Sequence, residues 1–212
     1  MSASCAHDHD GVVFDGMSRA YKMALWAVIV LNGAMFAVEI TAGALAGSQA
    51  LKADALDFLG DSLTYGLSLA VLGMPLARRA LAALLKGVSL LAMGLWVLGS
   101  TLWQVFVFGL PQAEVMGIVG VLALLANVAS VLILMRWKDG DANVRSVWLC
   151  SRNDAIGNVA VIGAAGLVAL TASPWPDLVV AFFMAALFVS SARSIITQAL
   201  AERRTAAHHL HA

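Results

Sequence analysis

The chain has 212 residues, of which 61% are hydrophobic and only 12% charged, with as many acidic as basic side chains. A soluble domain carries roughly 45–50% apolar and about 25% charged residues; this composition, with a mean hydropathy of +0.86, is that of an integral membrane protein. Zero net charge provides no bulk field to hold a nucleic acid, and two widely separated cysteines, Cys5 and Cys150, give no disulfide framework.

The N-terminal tail, residues 1–20, lacks the basic stretch followed by an apolar stretch that marks a cleaved signal peptide. Six apolar segments follow, at 22–46, 51–77, 81–108, 115–137, 144–171 and 175–200. Each is long enough to cross a hydrocarbon core, which takes about 20 helical residues. The expected fold is therefore all-α, a six-helix transmembrane bundle over residues 21–200, with a short histidine-containing tail at 201–212. Short connections make successive helices antiparallel neighbours. Arg19 and Lys22 precede the first segment. Arg78, Arg79 and Lys86 fall between the second and third, Arg136, Lys138 and Arg145 between the fourth and fifth, and Arg193, Arg203 and Arg204 at the end. The opposite connections are nearly free of Lys and Arg, so the positive-inside rule places both termini in the cytoplasm.

The first segment carries Asn32 and Glu39, seven residues apart and so on one helical face. Glu39 is read as a proton-coupling or structural carboxylate. The second segment carries Asp54, Asp57 and Asp61, again on one face. A carboxylate at membrane depth is costly and marks an ion or proton path. Asp57 and Asp61 are one turn apart, about 6 Å along the axis, close enough to grip one divalent cation. Two such carboxylates repel in a low dielectric, so protons held there would leave as a cation enters. Asp54 lies nearer the helix start and reads equally as a cap, an entrance group or a ligand. The third and fourth segments, with few polar groups, are expected to be lipid-facing walls or the surface of a homodimer. In the fifth segment Cys150 and Asp154 are four apart, and Asn158 follows one turn later. If the second and fifth helices face each other, Asp57, Asp61, Asp154 and Cys150 form a four-ligand cage suited to Zn²⁺; sulfur also admits Cd²⁺, and the carboxylates Co²⁺, Fe²⁺ or Mn²⁺.

All five histidines lie in the tails: His7 and His9 beside Cys5, and His208, His209 and His211 at the other end. Short His-rich tracts can collect metal, although a polar tail without defined affinity reads the same way. With no histidine in the spans there is no nucleophile–base–orienter set, and an enzyme is not expected.

At these residues the chain resembles the cation diffusion facilitator family of divalent-metal transporters. The stretch LNGAMFAVEITAGALAGSQALKADALDFLGDSLTYGLSL matches the family's first two helices at Asn32, Glu39, Gly47, Ser48, Ala53-Asp54-Ala55, Asp57 and Asp61. CSRNDAIGNVAVIGAAGLVAL and PWPDLVVAFFMAALFVSSARSI match the fifth and sixth. The likeness covers residues 24–199. It implies a metal site between the second and fifth helices, with Asp57, Asp61 and Asp154 on ligand positions, and export of the ion from the cytoplasm in exchange for protons. It implies no cofactor beyond the transported metal, and a bacterial inner membrane as the location. Cys150 stands where the family usually has His, which leaves the ion open. The family's cytoplasmic C-terminal domain has no counterpart in the dozen residues after the last segment, so dimerisation and sensing by that domain are not implied. The rival expectation is a membrane component that senses or buffers metal without moving it.

Overall fold

The computed structural model describes residues 19–70, 76–107, 109–135 and 142–208, with the side chains of 68, 76, 77, 79, 142–151 and 202–208 outside that description. Six helices follow one another: α1 (Arg19–Ala46), α2 (Gln49–Ala70), α3 (Leu76–Phe106), α4 (Ala113–Leu134), α5 (Ala142–Thr171) and α6 (Trp175–His208). Among the described residues there is no strand. The helices outrun the expected segments at several ends. α3 starts at Leu76 rather than 81, and α6 continues to His208 rather than stopping at 200. Basic residues at those ends belong to helical turns that extend past the apolar stretch, since a helix need not stop where a membrane does.

Among the described residues, hydropathy alone marks five of the six helices as long and apolar enough to cross a membrane; α2 is the exception. Its polarity is explained by where it sits. α2 packs against each of the other five helices, and no other helix does so. Ala50, Leu51, Ala53 and Ala55 are fully buried, and Phe58 and Tyr65 nearly so. A helix shielded from lipid by protein can carry charges that would cost about 2.5–3.5 kcal/mol each at a lipid-facing bilayer centre. The outer helices show the complementary pattern, with Trp26, Trp96, Trp103 and Leu170 exposed as side chains facing lipid should be.

The helices form three tight pairs, α1 with the central α2, α3 with α6, and α4 with α5. The α3–α6 pair depends on the absence of a side chain at Gly87. A Cβ there would lie 2.7 Å from Cγ1 of Ile196, so the two backbones approach as small residues permit in membrane bundles.

The turn between α1 and α2 fixes how α2 enters the bundle. Gly47 takes φ +69°, the left-handed conformation that glycine adopts at little cost. The Ser48 N–H then donates to the Gly43 carbonyl at 3.0 Å, closing α1 with the 6→1 bond of a Schellman motif. Ser48 also starts the next helix, its Oγ accepting from the Leu51 N–H at 3.1 Å. From α6, Asp177 completes the cap. Its Oδ1 accepts from Ser48 Oγ at 2.6 Å and from the Ala50 N–H at 3.0 Å, and its Oδ2 accepts from the Gln49 N–H at 2.8 Å. Gln49 reaches a third helix, its Oε1 accepting from Ser100 Oγ of α3 at 3.0 Å.

Candidate functional site

The period of the α-helix places Asp57 and Asp61 on the face of α2 that looks toward α5. Asp154 of α5 comes within hydrogen-bonding reach of both. These three carboxylates line a cavity of about 280 Å³ whose walls come from α2, α3, α5 and α6. Asp154 Oδ2 is buried and receives no hydrogen bond. Asp61 is held by its own helix: the Tyr65 hydroxyl donates to Asp61 Oδ2 at 2.7 Å. That bond fixes one oxygen and leaves the other lone pairs of the carboxylate available.

The approaches are pairwise. Among the described residues, no three of the His, Cys, Asp and Glu side chains gather as a ready-made metal-binding group. Cys150 falls one turn before Asp154 on α5, but its side chain lies outside the described residues, as do those of His7, His9, His208, His209 and His211.

A second pair of carboxylates lies beside the first. Glu39 of α1 and Asp54 of α2 are 0% and 1% exposed and within hydrogen-bonding reach of each other. Neither Glu39 oxygen, nor Asp54 Oδ2, meets a donor. The charges of Asp54 and Asp57 act on Glu39, and that of Asp54 acts on Asp57. The two pairs thus form one electrostatically connected row from Glu39 to Asp154. Asn32 and Asn158 are also buried, with the Asn32 Oδ1 and both polar atoms of the Asn158 amide lacking hydrogen-bond partners.

Asp54 does not cap α2. Ser48 and Asp177 do that, nearly two turns earlier, so Asp54 faces Glu39 inside the bundle. Sequence patterning also left three contributors out. Tyr65 is four residues beyond Asp61, a spacing that alone could have flagged it. Asp177 meets α2 through bonds to residues 127–129 positions away, and no local pattern carries that. Lys86 was counted only among the orienting charges; it lies inside α3 and lines the cavity together with Ser89. The third segment is therefore not only a lipid-facing wall.

Comparison with known proteins adds the following. The family model of the cation efflux transmembrane domain matches residues 25–202. The metal cation efflux system protein CzcD of Cupriavidus metallidurans is 28% identical over 197 residues. The cation efflux system protein CzcD of an Alcaligenes species is likewise 28% identical over 197 residues. In each case the alignment covers 85% of this chain and 58% of the relative, so the chain spans well under two thirds of the length of these curated relatives.

Proposed function

The chain belongs to the cation efflux family, the cation diffusion facilitators of the sequence resemblance, and from that premise we propose that it exports a divalent metal cation, zinc foremost, across a bacterial inner membrane in exchange for protons. The observation that carries this reading is the meeting of Asp154 with both Asp57 and Asp61 at one cavity wall. Three carboxylates from two helices offer hard oxygen donors to one cation, and Cys150 one turn away is the fourth donor in the proposal. The relatives' names carry metal and cation efflux, which supports the substrate class.

The cycle follows from charge. A cation entering from the cytoplasm displaces protons from Asp57, Asp61 and Asp154. The loaded helices then rock so that the site faces outward. Protons from outside reoccupy the carboxylates and release the ion. Exchanging cation for protons keeps the site near neutrality, so no large bare charge crosses the low-dielectric core. The Glu39–Asp54 pair, joined electrostatically to Asp57, is the relay by which protons reach the site, and Asn32 and Asn158 provide polar lining along the bundle.

The fold supports an inward-facing arrangement. The cavity is bounded by the later half of α2, the earlier half of α3, the first part of α5 and the middle of α6. In the positive-inside orientation those halves are cytoplasmic. At the opposite end Asp177 ties α6 to the start of α2.

Flux in reconstituted vesicles tests the assignment. With Zn²⁺, Cd²⁺, Co²⁺, Fe²⁺ and Mn²⁺ offered in turn under an imposed pH gradient, transport is expected, with Zn²⁺ and Cd²⁺ foremost. Cys150→His changes the ranking, lowering Cd²⁺ relative to Zn²⁺, because imidazole replaces a soft thiolate. A ranking untouched by Cys150→His removes sulfur from the site. Saturable binding without sustained flux would favour a buffering protein.

A further inference from the structure

Lys86 is the group in the cavity wall that neither the topology nor the metal cage explains. It lies within the apolar stretch Ala80–Phe106 of α3, six residues or about 9 Å in from its start. It is half-buried. A lysine serving only orientation would carry its ammonium at the membrane surface, with its stem along apolar neighbours. This one lines the same cavity as Asp57, Asp61 and Asp154, and its charge acts on Asp61. Those four are the charged side chains of the described cavity wall.

An ammonium beside a cation site opposes cation binding, since like charges repel strongly where water is scarce. Its presence therefore has to serve something other than affinity. The charges show what. The three carboxylates and the ammonium of the described wall sum with one divalent cation to zero, and to minus one if Cys150 also binds as a thiolate; without the ammonium the loaded site is one charge more negative in either case. A monovalent ion in the site with Lys86 leaves a deficit of positive charge, and a second divalent ion leaves an excess.

We propose that Lys86 is a specificity-determining residue of the transport site, a tethered cation in the cavity wall that competes with the metal ion for Asp61 and so matches the site to a single divalent ion. The ammonium sits on a flexible four-carbon stem, so it can swing away from Asp61 as metal arrives while staying in the cavity wall, and return as metal leaves. It competes with the ion at every cycle, which weakens binding and speeds release.

The inference rests on the metal-export reading, and the two fail differently. Zn²⁺ binding to the purified full chain is measured by titration for wild type, Lys86→Met, Lys86→Arg and Asp57→Asn, with initial rates of vesicle flux for the same set. Lys86→Met keeps the length of the side chain and removes its charge. It is expected to tighten Zn²⁺ binding about tenfold or more, and to lower both KM and kcat because release loses its competitor. Lys86→Arg restores wild-type behaviour. A lysine that only packs or orients would give unchanged or weaker binding in Lys86→Met, and either result overturns the proposal. Zn²⁺ binding that survives Asp57→Asn at wild-type strength would instead remove the underlying site, and the role of Lys86 with it.

Discussion

Replacing Asp57 by asparagine lowers Zn²⁺ affinity by about three orders of magnitude and abolishes measurable flux. The estimate is electrostatic. Two unit charges 4 Å apart interact by about 4 kcal/mol at the effective dielectric of a protein surface, and more in a drier site. A divalent ion doubles the charge on one side, so deleting one carboxylate charge costs at least about 4 kcal/mol, even after generous allowance for rearrangement. Asparagine preserves the shape and leaves a neutral oxygen; the variant should still fold, so the loss is one of charge and not of structure. Calorimetric titration beside a thermal-unfolding control separates the two. An affinity within about threefold of wild type, a change worth less than 1 kcal/mol, would remove Asp57 from the site.

The second large effect lies at the other end of α2. Asp177→Ala removes the acceptor of three hydrogen bonds, from Ser48 Oγ and from the N–H groups of Gln49 and Ala50. Gln49 is 2% exposed and Ala50 is fully buried, so water cannot replace the lost partner. Each orphaned buried donor costs about 1–3 kcal/mol, and the carboxylate's favourable placement at a helix N-terminus is lost as well. A destabilisation of about 3 kcal/mol or more is expected, which lowers the midpoint of thermal unfolding in detergent by roughly 6–12 °C for a chain of this size. Asp177→Asn, which retains one acceptor, falls between. A midpoint unchanged by Asp177→Ala would mean that the α2 start is held by something else. Because α2 carries the aspartates, this clasp also determines where they sit along the bundle axis.

The helical bundle was legible in the sequence because lipid enforces it: each lipid-facing helix must be apolar over about 20 residues, and that leaves a plain trace. α2 was counted among those apolar segments, yet over its described residues it lacks the trace, since it is enclosed by protein; the spacing of its aspartates is what set it apart. Asp57, Asp61 and Asp154 were singled out by their spacing, the facing of the second and fifth helices came from the family resemblance, and the three side chains line one cavity. Three things were not readable. Helix ends fell several residues from expectation at α3 and α6, where helical turns continue beyond the apolar stretch. The Asp177 clasp joins positions about 128 residues apart, and an aspartate in a first turn looks the same whether it caps its own helix or another's. Lys86 was read as a topological charge because its residue type and its nearness to Arg78 and Arg79 both fit that part; only the walls of the cavity show it beside the aspartates. The pairing of Glu39 with Asp54 stands between these cases, since each had been singled out but neither had been given the other as partner.

The proposed exchange of protons for metal at the aspartates is tested most directly by uphill zinc movement. Everted membrane vesicles containing the full chain are loaded to equal internal and external Zn²⁺, and an inside-acid pH gradient is then imposed. The account predicts accumulation of Zn²⁺ inside, above the external concentration, that collapses when a protonophore dissipates the gradient and is missing with Asp57→Asn. Zinc that merely equilibrates, at the same rate with and without the gradient, would contradict it.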